Sequence, residues 1–110
     1  MSLVLATTKA LEYIERLVPI LYENEYFSYE DDARKYVKDL YDDIQKTLPT
    51  RPHKPAPKYF DKYGLNMYYA GFQKNKHTTW YVFFTKYREN EEIIYLIRYI
   101  ANNHSVAQHL

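Results

Sequence analysis

TTWYVFFTKYRENEEIIYLIRYIANNH, residues 78–104, is the stretch that decides the fold. Thr78–Tyr87 is dense in aromatic and β-branched side chains, the types that suit a pleated, half-buried surface. Arg88–Glu91 is short and polar, and Glu92–Ala101 is β-prone again. Two long strands joined by so few residues predict an antiparallel hairpin. Apolar residues fill both parities of the second strand, which predicts a central strand covered on both faces. That strand then runs out into Asn102, Asn103 and His104. Strict alternation puts Arg98, Ile100, Asn102 and His104 on one side and Tyr95, Ile97 and Tyr99 on the other.

Upstream, Leu65–Phe72 reads as a third strand, separated from the hairpin by the polar break Lys74–His77. Everything after residue 60 therefore reads as sheet. Residues 49–60, PTRPHKPAPKYF, form a stiff, extended loop, because proline locks φ and removes donors. Before it, Ala33, Tyr36, Val37, Leu40, Tyr41, Ile44 and Leu48 make one stripe and predict a helix over roughly 29–48, stopped by Pro49. Ser28 is the expected N-cap, and Glu30, Asp31 and Asp32 suit the positive helix start. Ala10, Leu11, Ile14, Leu17, Val18 and Leu21 predict an earlier helix, capped by Thr7 or Thr8 and kinked or ended near Pro19. Leu3–Leu5 is a short edge strand. The expected class is α+β in one domain, residues 1–110. A short N-terminal strand and two amphipathic helices pack on one face of a three- to four-stranded antiparallel sheet, and the other face is left partly open.

Composition narrows the function classes. The chain has 110 residues and no cysteine, so disulfides and thiolate metal clusters are excluded. Its four histidines have no ligand-like spacing, so no metal and no cofactor are expected. Two glycines, Gly64 and Gly71, do not make a phosphate loop. No apolar run is long enough to span a membrane, and the opening MSLVLATTKALEYIERL lacks the basic start and cleavage site of a signal peptide. A cytoplasmic protein is expected. Residues 1–50 hold six Lys/Arg against ten Asp/Glu, net −4; residues 51–110 hold nine against four, net +5. This asymmetry suits contact with an anion, although a solvated acidic helix face produces it equally well. Fourteen tyrosines can fill a half-wet sheet or stack on bases.

The residues with chemistry gather near the C-terminus. Imidazole exchanges protons near neutral pH, which makes His104 a candidate base or acid. Arg98 can clamp a phosphate, and Asn102 and Asn103 can hold one or orient the ring. Against this stands the plainer reading, a histidine that caps or decorates a strand end and an arginine paired with a helix acid. The stiff loop offers Lys54 and Lys58 as cations for a nucleic-acid backbone, and Lys76 is a further candidate beside His77.

Three segments in this order resemble the RelE/ParE toxin superfamily. VLATTKALEYIERL (4–17) resembles its opening strand and helix. ARKYVKDLYDDIQKTLPTRP (33–52) resembles its second helix and closing proline. WYVFF with EEIIYLIRYIANNH resembles its paired last strands, the final one running out into histidine. The resemblance implies a toxin silenced by a cognate antitoxin. In one branch it implies a metal-independent endonuclease that cuts mRNA on the ribosome, the RNA 2′-OH attacking its own phosphate. His104 would then act as base or acid, Arg98 as phosphate clamp and Tyr99 as stacking platform or proton donor. Lys54, Lys58, Lys76, Asn102 and Asn103 would hold RNA. Many nucleases of the family carry an arginine entering the strand that here begins Thr78-Thr79-Trp80. The alternative is a binding module of the same fold that inhibits a topoisomerase, or binds its antitoxin, without cutting RNA.

Overall fold

The hairpin that opened the sequence forms the centre of the sheet. In this computed structural model, which describes residues 2–24 and 26–110, β4 (Thr78–Glu89) pairs antiparallel with β5 (Glu92–Asn102) over nearly their full length. Their connection is tighter than expected: Glu89 pairs with Glu92, and Asn90 takes the turn at φ 57°. Asparagine tolerates this left-handed conformation because its short polar side chain bonds locally. β3 (Tyr68–Asn75) pairs with the other side of β4. Its outer neighbour is β2 (Lys54–Pro55), two residues from the proline-rich loop. A proline cannot donate to a ladder, so β2 can only be an edge.

The fifth strand corrects the expectation of an all-antiparallel sheet. β1 (Ser2–Ala6) pairs in parallel with β5, giving the order β1-β5-β4-β3-β2. Sequence neighbours joined by a short turn must be antiparallel. Strands separated by most of the chain are free of that constraint.

Both long helices lie on one face, as expected. α1 (Thr8–Glu23) starts where Thr7 Oγ1 accepts from the Ala10 N–H at 3.0 Å. Pro19 lies inside α1 and does not end it. Pro19 and Glu15, whose carbonyl it leaves unbonded, both face solvent, so water can take that acceptor. α2 (Glu30–Thr47) has Tyr29 as its N-cap with no side-chain bond, so Ser28 is not the cap. Glu30, Asp31 and Asp32 in the first turn supply the charge that favours the helix start. Ala10, Ile14 and Val18 of α1 and Val37, Leu40 and Ile44 of α2 form one core with Phe72, Trp80, Val82, Phe84 and Ile97 of the sheet.

The second face is not open. A 3-10 segment, Lys58–Tyr63, crosses it and buries Phe60 against Phe83, ring centroids 4.3 Å apart. The C-terminus returns over the same face as α3 (Asn103–Val106) and a 3-10 turn, Ala107–His109, with Val106 buried. Phe60, Met67, Phe83, Ala101 and Val106 make this second, smaller core. The expectation that all of the chain after residue 60 is sheet fails at these two segments. Each tucks an aromatic or aliphatic side chain under a short helical turn, and neither shows strand alternation.

Candidate functional site

The position of the C-terminal residues is set by one extra residue. In the β4–β5 ladder, Phe84 pairs with Ile97 and Phe83 with Tyr99, so Arg98 is inserted without a partner. Such a bulge reverses the parity of everything beyond it. Tyr95, Ile97 and Ile100 therefore face the helices, while Tyr99 and Ala101 face the second core. The expected grouping of Arg98 with Ile100, Asn102 and His104 does not occur. Arg98 lies over the second face, where its Nε donates to Thr85 Oγ1 at 3.2 Å. Gly64 packs on its stem; a Cβ there would stand 2.6 Å from Arg98 Cδ.

The two asparagines have structural partners. Asn102 Oδ1 accepts from the His104 N–H at 3.0 Å and caps α3. Asn103 Oδ1 accepts from the Thr79 N–H at 3.0 Å, and its Nδ2 donates to the His77 carbonyl at 3.1 Å. Asn103 thereby ties α3 to the β3–β4 turn. The abrupt change from apolar strand to Asn-Asn-His is the signature of a strand ending and a capped helix beginning. His104 stands on that helix, exposed, and not on a continued strand.

His104 borders a cleft on the helix side of the sheet. Two adjoining hollows of about 490 and 300 Å³ share Leu21, Tyr26, Trp80, Asn102 and His104. The larger runs between α1 and β5, with Tyr13 and Arg16 on one wall and Tyr99 and Ser105 on the other. Tyr99 is held by rings: Tyr63 stacks on it at 3.7 Å with planes 5° apart, and Tyr13 meets it edge-on at 5.1 Å. Burial, followed by the neighbouring Tyr63 hydroxyl, pushes the Tyr99 phenol well above its ordinary range. Among the described residues, no Asp or Glu lines either hollow, and Arg16 is the one full charge that does. A wider, shallower hollow under Leu3, Leu5 and Ile94 is rimmed by Glu89, Glu91 and Glu92, which disfavours anions there.

Of the sequence candidates, Tyr99, Asn102 and His104 are brought together at the cleft. Arg98, Asn103, Lys54, Lys58 and Lys76 are not among the residues that line it. Lys54, Lys58 and Lys76 are exposed, on β2, the 3-10 segment and the β3–β4 turn. Sequence reasoning missed Tyr13, Arg16 and Tyr63. Tyr13, Arg16 and Ile20 recur at helical spacing beside the core stripe of α1, a signal for a second, half-buried face. Among the described residues, no cluster of three His, Asp or Glu side chains suited to a metal occurs, and no helix is long and apolar enough to cross a membrane. Compared with known proteins, the chain matches no family model, no curated protein and no solved structure.

Proposed function

We propose that the chain is the toxin of a bacterial toxin–antitoxin pair, built on a RelE/ParE-like fold, and that it acts by binding its target. The order strand, helix, helix, loop and three-stranded meander supports the fold assignment, since it is the order the resemblance implies. One observation carries the choice of binding over cleavage. Arg98 lies on the second face, against Thr85, and the bulge carries Ile100 and Asn102 beyond it to the helix side, where His104 stands beside the cleft under α1. Metal-free cleavage of RNA needs a base, a cationic clamp and an acid around one phosphate. Arg98 does not line the cleft that His104 borders, which favours binding over cleavage. A cytoplasmic target such as a topoisomerase or the ribosome fits this reading, with the antitoxin as the silencing partner.

The nuclease reading keeps one observation in its favour: His104, Asn102 and Tyr99 share a cleft with Arg16. Expressing the chain alone in a bacterial host, with and without His104→Ala and Arg98→Ala, separates the two. The binding reading expects growth arrest with intact transcripts, and arrest that survives both substitutions. Codon-phased cuts in ribosome-bound mRNA, lost in His104→Ala, would establish the nuclease instead. No growth arrest in any form would remove the toxin assignment altogether.

A further inference from the structure

The two edges of the sheet are built differently. β2 ends it on one side with Lys54 and Pro55, a charge and a residue without an N–H, and both discourage a further strand. β1 ends it on the other side as Ser2-Leu3-Val4-Leu5-Ala6, with no charge, no proline and no bulge. The Thr7 N–H donates to the Ile97 carbonyl at 3.0 Å, so the backbone groups of Thr7, Leu5 and Leu3 turn toward β5. By the same alternation those of Ser2, Val4 and Ala6 turn outward. Among the described residues, no backbone hydrogen bond outside the sheet takes them up. Val4 and Ala6 pack their side chains on the helix-side core, which leaves Leu3 and Leu5 on the opposite face, 41% and 45% exposed. There, with Ile94, they line the shallow hollow rimmed by Glu89, Glu91 and Glu92.

We infer that β1 is the interface of a symmetric dimer, in which it pairs antiparallel with β1 of a second copy of this chain. Ser-Leu-Val-Leu-Ala reads nearly the same from either end about Val4. A two-fold interface demands this, because each residue must meet a partner that meets it in return. With Val4 on the axis, its outward N–H and C=O exchange hydrogen bonds with Val4 of the second copy, and those of Ser2 exchange with Ala6. Leu3 then stands opposite Leu5 in the closer, non-hydrogen-bonded pairs, and the leucines of both copies cover one another on one face. Charge favours the same arrangement. The acidic turn lies at the Ser2 end of β1, since Ser2 pairs with Ile93. The two-fold sends the two turns to opposite ends, each toward the Thr7-Thr8-Lys9 end of the other copy, which carries an exposed lysine and no acid. The same carboxylates disfavour a nucleic acid or an acidic peptide on this edge. A five-residue strand spans about 17 Å, small against the roughly 800 Å² per partner of a stable interface, so the dimer is reversible and depends on concentration. The pairing requires nothing of the toxin reading.

Sedimentation of the full chain over roughly 1 μM to 1 mM, the span of small reversible interfaces, is expected to show monomer passing into dimer. Leu3→Lys combined with Leu5→Lys sets like charges opposite one another. It is expected to weaken the dimer at least about tenfold, with the far-ultraviolet circular dichroism unchanged. Mixing it with the Leu3→Glu, Leu5→Glu form is expected to restore association. Because the chain has no cysteine, the register can be read by cross-linking. Leu3→Cys mixed with Leu5→Cys is expected to form a disulfide on mild oxidation, since opposite residues lie about 4.5 Å apart at Cα. Leu3→Cys alone is expected not to link, because its counterpart lies diagonally, about 7–8 Å away. Monomer at every concentration would overturn the inference, and so would a dimer untouched by the lysines. Absence of the mixed disulfide, or Leu3→Cys chains that link to themselves as readily, would overturn it as well. Should the lysine form fail to fold, the cysteine pair alone decides.

Discussion

The phenol rings of Tyr63 and Tyr99 lie face to face, centroids 3.7 Å apart and planes 5° from parallel. One comes from the 3-10 segment and the other from β5, and Tyr13 of α1 closes the group edge-on. Burial, then the Tyr63 hydroxyl, raises the Tyr99 pKa above its ordinary value of 10.0; burial raises that of Tyr41 as well. A phenol whose folded pKa exceeds its unfolded one contributes stability that is whole below about pH 10 and is lost as pH climbs toward the folded value. The melting temperature is therefore expected to hold from neutrality to about pH 10 and then fall. Tyr99→Phe should make that fall shallower. An alkaline limb of unchanged slope in Tyr99→Phe would show that this phenol is not coupled to folding.

How far the fold was legible follows the distance over which each contact acts. The stripes Ala10-Ile14-Val18 and Val37-Leu40-Ile44 predict both helices, since each is periodic within its own turn-to-turn spacing. The β4–β5 hairpin was equally plain. The parallel pairing of Val4 with Tyr95 spans nearly the whole chain and leaves no local mark. The bulge at Arg98 was hidden because apolar residues fill both parities of β5, so alternation could not report the slip. Phe60 sits in a basic, proline-rich stretch that reads as connector, although it is the pin of the second core. Asn102, by contrast, was available as an N-cap, and reading it so would have moved His104 from strand to helix.

Phe60 is expected to be costly to truncate on the second face. It is fully buried and lies on Phe83 in the heart of the smaller core. Phe60→Ala should lower stability by about 3–5 kcal/mol, read as a shift in the urea midpoint. Amide exchange in residues 58–63 and 103–109 should rise with it, because both segments hold that face through this core. A loss under about 1 kcal/mol, near the cost of an exposed change, would mean the face can open freely.

Trp80 and Tyr36 form the polar link between the sheet and α2. The indole N–H donates to the Tyr36 hydroxyl at 2.9 Å, and Trp80 is 2% exposed. Tyr36→Phe keeps the ring and strands the donor, at an expected cost of about 1–3 kcal/mol. As the chain's one tryptophan, Trp80 reports the change by its own emission. Wild-type stability together with an unshifted spectrum would show that the hydroxyl is not the partner.

Arg51 fastens the proline-rich loop to the rest of the molecule by several weak contacts, and their sum should exceed the ion pair alone. Its guanidinium reaches Asp43 Oδ2 at 3.2 Å and lies 4.1 Å over the Phe72 ring. Its Nε donates to Thr47 Oγ1 at 3.3 Å. The pair with Asp43 is about one-third exposed, so solvent screens it to roughly 0.5 kcal/mol. The face of Phe72 adds about as much again. Arg51→Ala should therefore cost about twice what Asp43→Ala costs, on the order of 1 kcal/mol. A double-mutant cycle isolates the ion-pair share, because Arg51→Ala in an Asp43→Ala background still loses the ring contact. Arg51→Lys should recover little, since an ammonium reproduces neither the planar stacking nor the fork. Equal losses for Arg51→Ala and Asp43→Ala, with full rescue by lysine, would reduce the whole arrangement to a point charge.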